Sequence, residues 1–180
     1  QMENVNFSGA TLQNVLIPRS MLVNVDFSDT TLSDVRFSGS VIVKSNFEGA
    51  VLDHVEILGT DLKRSNFKNS EIKNTVFKRT QTFTIDFSTT EFKNVAFESA
   101  RFHSTDFSHV DFSSIKIEPG VAFTDSLFVG SNILENELPE TDFTQKTFHN
   151  CKTLGWKESI TRIDSNPILK NVLDTSGHCF

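Results

Sequence analysis

The sequence predicts a repeat fold, and two regularities carry that reading. From Phe7 to Ile117 every fifth residue is large and apolar: of 23 such positions twelve are Phe, five Leu and five Ile, and only Thr82 is polar. Two residues before each of them, from Val5 to Ile115, all 23 positions hold Val, Ala, Ser, Thr or Ile. Neither helical nor simple strand periodicity generates a strict period of five. Self-similarity at a fixed period is the mark of a solenoid or array.

A third regularity sets the coil length. Phe7, Phe27, Phe47, Phe67, Phe87 and Phe107 recur at a spacing of 20, and the residue before each is Asn6, Asp26, Asn46, Asn66, Asp86 or Asp106. Val15, Val35, Val55, Thr75, Val95 and Ile115 form a second column that is β-branched throughout. Opposite charges recur at the same interval in Arg36/Glu56, Glu48/Lys68, Asp53/Lys73 and Lys78/Glu98. Strands stacked ~4.8 Å apart would make all of these direct neighbours.

Asn6-Phe7-Ser8-Gly9, Asp26-Phe27-Ser28-Asp29 and Asn46-Phe47-Glu48-Gly49 follow a small, Asx, Leu/Phe, variable, variable form. In this the chain resembles the pentapeptide-repeat family over residues 3–150. The resemblance implies an all-β fold, a right-handed quadrilateral parallel β-helix with four five-residue faces to a coil of 20. About seven coils are expected over that length, a rod of about 35 Å by strand spacing. Glu118-Pro119-Gly120 shifts the phase by one residue, and its turn chemistry reads as a bulge at a corner. Phe123, Phe128, Ile133, Leu138, Phe143 and Phe148 then resume the spacing, leaving only Phe83 and Phe180 of the 18 Phe outside the lattice.

So narrow an interior holds one large and one small side chain per face. Phe rings stack along it, whereas Tyr, of which the chain has none, would bury a hydroxyl without a partner. The rod's ends are open strand edges that need caps. Residues 151–180 are read as the C-terminal capping segment, with a short helix near 167–175. Asn166 and Pro167 start that helix, Gly177 follows it, and Ile168, Leu169, Val172 and Leu173 form its apolar stripe beside Trp156. The resemblance implies a second use for such a helix, a homodimer contact. No N-terminal cap is visible, and an opening on Gln1 is what a processed fragment would show.

Composition excludes several classes. The net charge of −6 argues against a direct nucleic-acid binder. No apolar run is long enough for a membrane helix. Cys151 and Cys179, both in the last 30 residues, are no disulfide scaffold; pairing and free thiols are equally compatible with the sequence. His54, His103, His109, His149 and His178 show no metal spacing, no nucleophile triad follows from the lattice, and phosphate-cradling glycines are absent. The expectation is a non-enzymatic protein with no cofactor and no metal.

Charge is segregated along the chain: residues 1–61 net −5, residues 62–117 net +3, residues 118–151 net −5 and residues 152–180 net +1. Lys63, Lys68, Lys73 and Lys78 form a basic belt at mid-rod. The resemblance implies a DNA-mimicking inhibitor or protector of DNA gyrase or topoisomerase as one role, but that role needs a broadly acidic rod, which the belt interrupts.

Two surface features are candidate sites. The first is an outward apolar cluster, Met21, Val23, Val41 and Val43 flanking the inward Leu22 and Ile42, with Phe83 further along the column. Such a face is read as a protein-binding or self-association surface, or as one covered by a cap. Phe83 has two readings, an outward residue or the inward residue of a local bulge at Thr82. Asp26, Asp29 and Asp34 are expected on adjoining faces as an acidic rim for a basic partner. The second is a like-charge column, Glu71, Glu91 and Asp111, able to attract a cation or a basic patch unless Lys73 and Lys93 neutralise it.

Together these give a non-catalytic protein-binding or scaffold β-helix, with gyrase inhibition as the alternative. Family resemblance adds a setting: a bacterial protein, cytoplasmic or one domain of an effector secreted into a host cell.

Overall fold

A computed structural model describes residues 1–118, 120–128 and 131, together with a two-residue strand at Phe148–His149. Within them the chain is an all-strand parallel solenoid of about six coils, without a helix. The expected helix near 167–175, Cys151, Cys179 and most of a seventh coil lie outside the described residues.

Each coil has four sides. The first sheet has eight strands, six of which run from Met21–Val23 through Val41–Val43, Asp61–Lys63, Gln81–Phe83 and Arg101–His103 to Ala122–Thr124. The second has five, from Thr11–Gln13 to Glu91–Lys93, and the third six, from Leu16–Pro18 to Ile115–Ile117. The fourth wall is a column of single parallel bridges, Asn6 to Asp26 to Asn46 to Asn66 to Asp86 to Asp106. Partners are 20 residues apart, as in Leu22↔Ile42 and Phe77↔Phe97. Past residue 118 the interval becomes 21, with Phe102 opposite Phe123 and Asp106 opposite Leu127, so the phase shift is absorbed locally. Phe123 pairs in turn with Phe148, a step of 25 residues.

The interior follows from the lattice. Phe7, Phe27, Phe47 and Phe67 stack with centroids 5.3, 4.7 and 4.4 Å apart, and the Phe47 and Phe67 rings lie 3° from parallel. Further along, where consecutive faces all carry Phe, rings also meet edge to face, as Phe92 and Phe97 do at 86°. The small column carries many hydroxyls, and they close on backbone: Thr30, Ser40, Thr60 and Thr80 donate to carbonyls 23 residues earlier at 2.8–3.0 Å. That is why Ser and Thr are admitted to a core that excludes Tyr.

Corners are built from backbone strain. Every fifth residue from Asn4 to His109 has φ between +45° and +68°. Asn, Asp and Gly tolerate this region, but Arg19, Lys44, Arg64, Arg79, Thr84 and Thr89 also occupy it. Hydrogen bonds to the next coil hold them there, such as Arg19 N–H to Ser38 O at 2.7 Å and Lys44 N–H to Lys63 O at 2.9 Å. The Asx column braces the fourth wall: Asp26, Asn66 and Asp86 each accept the backbone N–H two residues on.

Candidate functional site

Strand alternation puts the middle residue of each three-residue strand inside and its neighbours outside. In the first sheet Leu22, Ile42 and Leu62 are therefore buried, and two outward rows stand over them. One row reads Met21, Val41, Asp61, Gln81, Arg101; the other reads Val23, Val43, Lys63, Phe83, His103. Met21 and Phe83 are 48% and 40% exposed, large values for side chains of this size, and the three valines are half-buried. Met21, Val23, Val41 and Val43 form one contiguous patch on adjacent strands. Phe83 is set apart by Lys63, whose Nζ lies 5.9 Å from the Phe83 ring centroid. The His103 ring packs on its other side at 5.6 Å.

The bulge reading of Thr82 does not hold. Gln81–Phe83 is a regular strand, Leu62 pairs with Thr82, and Thr82 is fully buried. Its hydroxyl is satisfied by Thr105 at 2.9 Å, so the lattice keeps its phase and Phe83 points outward.

The expected acidic rim is also misplaced. Asp29 sits at the corner between the fourth wall and the second sheet, and Asp34 between the second and third sheets, on the far side of the rod. Asp26 does adjoin the patch, but its carboxylate accepts the Ser28 N–H at 2.9 Å and an Asn46 amide hydrogen at 3.4 Å. The Ser28 bond, above all, holds its pKa below the usual value.

At the second candidate, Glu71 and Glu91 are direct neighbours across the second sheet. Lys93 lies 3.0 Å from Glu91 and 3.3 Å from Glu71, with Lys73 3.6 Å from Glu71. Hydrogen bonds to Glu91 and then Glu71 raise the Lys93 pKa. Asp111 accepts the Ser113 N–H at 2.9 Å and lines a shallow hollow of about 340 Å³ with Glu91, Lys93 and His109. The two glutamates are thus neutralised by lysine, and no group of three or more His, Cys, Asp or Glu suited to a metal occurs among the described residues.

The charge ladders form in part. Arg36 grips Glu56 with two bonds of 2.6 and 2.8 Å, Lys78 meets Glu98 at 2.5 Å, and Lys73 lies 3.8 Å from Asp53. Glu48 takes a hydrogen bond from Asn66 at 3.2 Å instead of pairing with Lys68. The basic belt is thereby dispersed: its four lysines face four sides, and three are matched by carboxylates.

Five-residue faces, left-handed corners and a stacked Phe column account for the first coils residue by residue, and residues 1–67 match the profile of the family described as Pentapeptide repeat region. Residues 1–67 are a pentapeptide-repeat region. No curated protein matches it. Among solved structures it is similar to QnrB1, a plasmid-mediated fluoroquinolone resistance protein, at 18% identity over 91% of this chain and 94% of that one, with a TM-score of 0.39. It is similar also to HetL of the cyanobacterium Nostoc sp. strain PCC 7120, a pentapeptide repeat protein involved in heterocyst differentiation regulation, at 9% identity, 84% and 90% coverage and a TM-score of 0.29. A pentapeptide repeat protein from the Arabidopsis thaliana thylakoid lumen matches at 19% identity, 61% and 66% coverage and a TM-score of 0.30. No helix among the described residues is long and apolar enough to cross a membrane.

Proposed function

We propose that this pentapeptide-repeat rod is a non-catalytic scaffold that docks a protein partner on the outer surface of its first sheet. One observation carries the reading. The interior is filled by Leu22, Ile42 and Leu62, yet the same strands present Met21, Val23, Val41 and Val43 outward, with Phe83 beyond. Apolar atoms there add little to the fold, while burial by a partner would contribute about 25 cal/mol per Å² before association costs. Imitation of duplex DNA is the weaker reading, because Glu56, Glu71, Glu91 and Glu98 are each neutralised by Arg or Lys.

The test places a photo-crosslinking residue at Met21 or, as a control, at Ser33 on the opposite sheet, in the cells that make the protein. Protein adducts at Met21 but not at Ser33, lost when Val23→Ser and Val43→Ser are added, are the expected result. Equal labelling from both positions, or adducts indifferent to the serine changes, would overturn it.

A further inference from the structure

The cations of the rod are sorted by face. Arg36, Lys63, Lys73, Lys78, Lys93 and Lys116 each hold a carboxylate. Arg19, Lys44, Arg64, Lys68, Arg79 and Arg101 hold none among the described residues, and all six are exposed. Arg19 and Lys44 flank the apolar patch, and Arg64, Arg79 and Arg101 lie one, two and three coils beyond it along the same sheet. Arg101 stands in the row of Met21 and Val41. Arg19 and Arg79 occupy the left-handed corner on one edge of the first sheet, and Lys44 and Arg64 the corner on the other. The face and its corners carry three carboxylates: Glu3 beside Val23 at the first strand, Asp61 bound to Lys63 at 3.0 Å, and Asp125 at the last corner, 3.6 Å from His103. Among the described residues, five of the six cations without a carboxylate partner thus lie on or beside the first sheet, which carries two of the three exposed large apolar side chains, Met21 and Phe83, the third being Leu16 on the third sheet.

We infer that the docking face takes an acidic, apolar-containing segment of a partner protein, an inference that rests on the docking reading above. From Met21 to Phe83 the strip is two side chains wide and about 15 Å long by strand spacing, with Asp61 and Lys63 crossing it, room for one short extended or helical segment. Cations with no internal partner can form charge-assisted bonds to incoming carboxylates without first breaking a pair. An anionic membrane fits less well. Half-buried valines on a flat sheet, with long Arg and Lys side chains at both edges, have no reach into a layer that binding elements enter by about 5–10 Å. Nucleic acid fits less well too, since phosphates gain nothing from four aliphatic side chains and the strip offers one exposed aromatic for stacking.

The experiment measures fluorescence anisotropy with three short peptides of equal apolar content, carrying Glu, Ser or Lys between Leu and Phe. Expected is tightest binding of the Glu peptide, weakening with added salt. Its affinity should drop roughly tenfold or more with Arg64→Glu and Arg79→Glu together, by loss of rim attraction, and should be unmoved by Lys68→Glu. All three changes are at exposed positions, and unaltered melting curves verify the fold. Preference for the Lys or Ser peptide, still abolished by Val23→Ser with Val43→Ser, would overturn the acidic-partner inference and leave the docking reading standing. Binding of none of the peptides would contradict both. Tighter binding to phosphatidylserine vesicles or to a DNA duplex than to the Glu peptide would also overturn the inference.

Discussion

The hydroxyls of Thr82 and Thr105 meet at 2.9 Å inside the rod, both side chains fully buried. Thr105 has a second acceptor within reach, the carbonyl of His103 at 3.3 Å, and no such second partner stands beside the Thr82 hydroxyl among the described residues. The two threonines are therefore not equivalent. Thr82→Val leaves Thr105 its carbonyl, costing under about 1 kcal/mol; Thr105→Val strands the Thr82 hydroxyl in the core, costing about 1–3 kcal/mol. Thermal or denaturant unfolding of the two variants checks this. A Thr82→Val variant the less stable of the pair would contradict this difference between the two threonines.

Phe67 and Asn66 are neighbours with opposite fates. Phe67 is buried between Phe47 and Phe87, with ring centroids 4.4 and 5.0 Å away. Phe67→Asp puts a charge where neither water nor a counter-charge can reach, and cooperative unfolding should disappear. Asn66 accepts from the Lys68 N–H and donates to Asn46 and Glu48 at the surface. Asn66→Ala should cost about 1 kcal/mol, the order of one net hydrogen bond. Circular-dichroism melts distinguish the two, and equal effects would contradict the inside/outside assignment.

The fold was legible because its constraint is periodic. A four-sided coil can stack only if Phe27 falls over Phe7 and Asp26 over Asn6, and that demand is written into spacing. The corners were less legible. Arg19, Lys44, Arg64 and Arg79 have no intrinsic preference for positive φ, and what holds them is a hydrogen bond to a residue 19 positions on. The apolar patch was visible as a column, but its rim was not. Lys63, Lys68, Lys73 and Lys78 look like a belt along the chain and scatter over four sides in space, while Arg19, Lys44, Arg64, Arg79 and Arg101 look scattered and gather on one. Thr82 misled for a related reason: its hydroxyl is satisfied by Thr105, 23 residues away.

Acid should weaken the rod. The Ser28 N–H holds Asp26 below its ordinary pKa of 3.8, the Asn74 amide does the same for Asp53, and the Arg36 bonds hold Glu56 below 4.5. For carboxylates depressed in the folded state, the stabilisation is complete above the ordinary values and fades as pH falls through the folded ones. Melting temperature should thus be level at neutral pH and decline below about pH 4.5, modestly, because these groups are largely solvated. Arg36→Ala should flatten part of that decline by returning Glu56 toward its ordinary value. A decline of the same size in wild type and Arg36→Ala would rule out Glu56 as a contributor.

The account rests on the claim that Met21, Val23, Val41 and Val43 serve a surface and not the core, and the melting temperature of the Val23→Ser, Val43→Ser double variant tests this most directly. Its outward side chains pack only on neighbouring strands, so the melt should stay cooperative and within about 5 °C of the parent, the shift that one or two kcal/mol produces in a chain of this size. A fall several times larger, or loss of the cooperative transition, would contradict the account by showing that these valines hold the rod together.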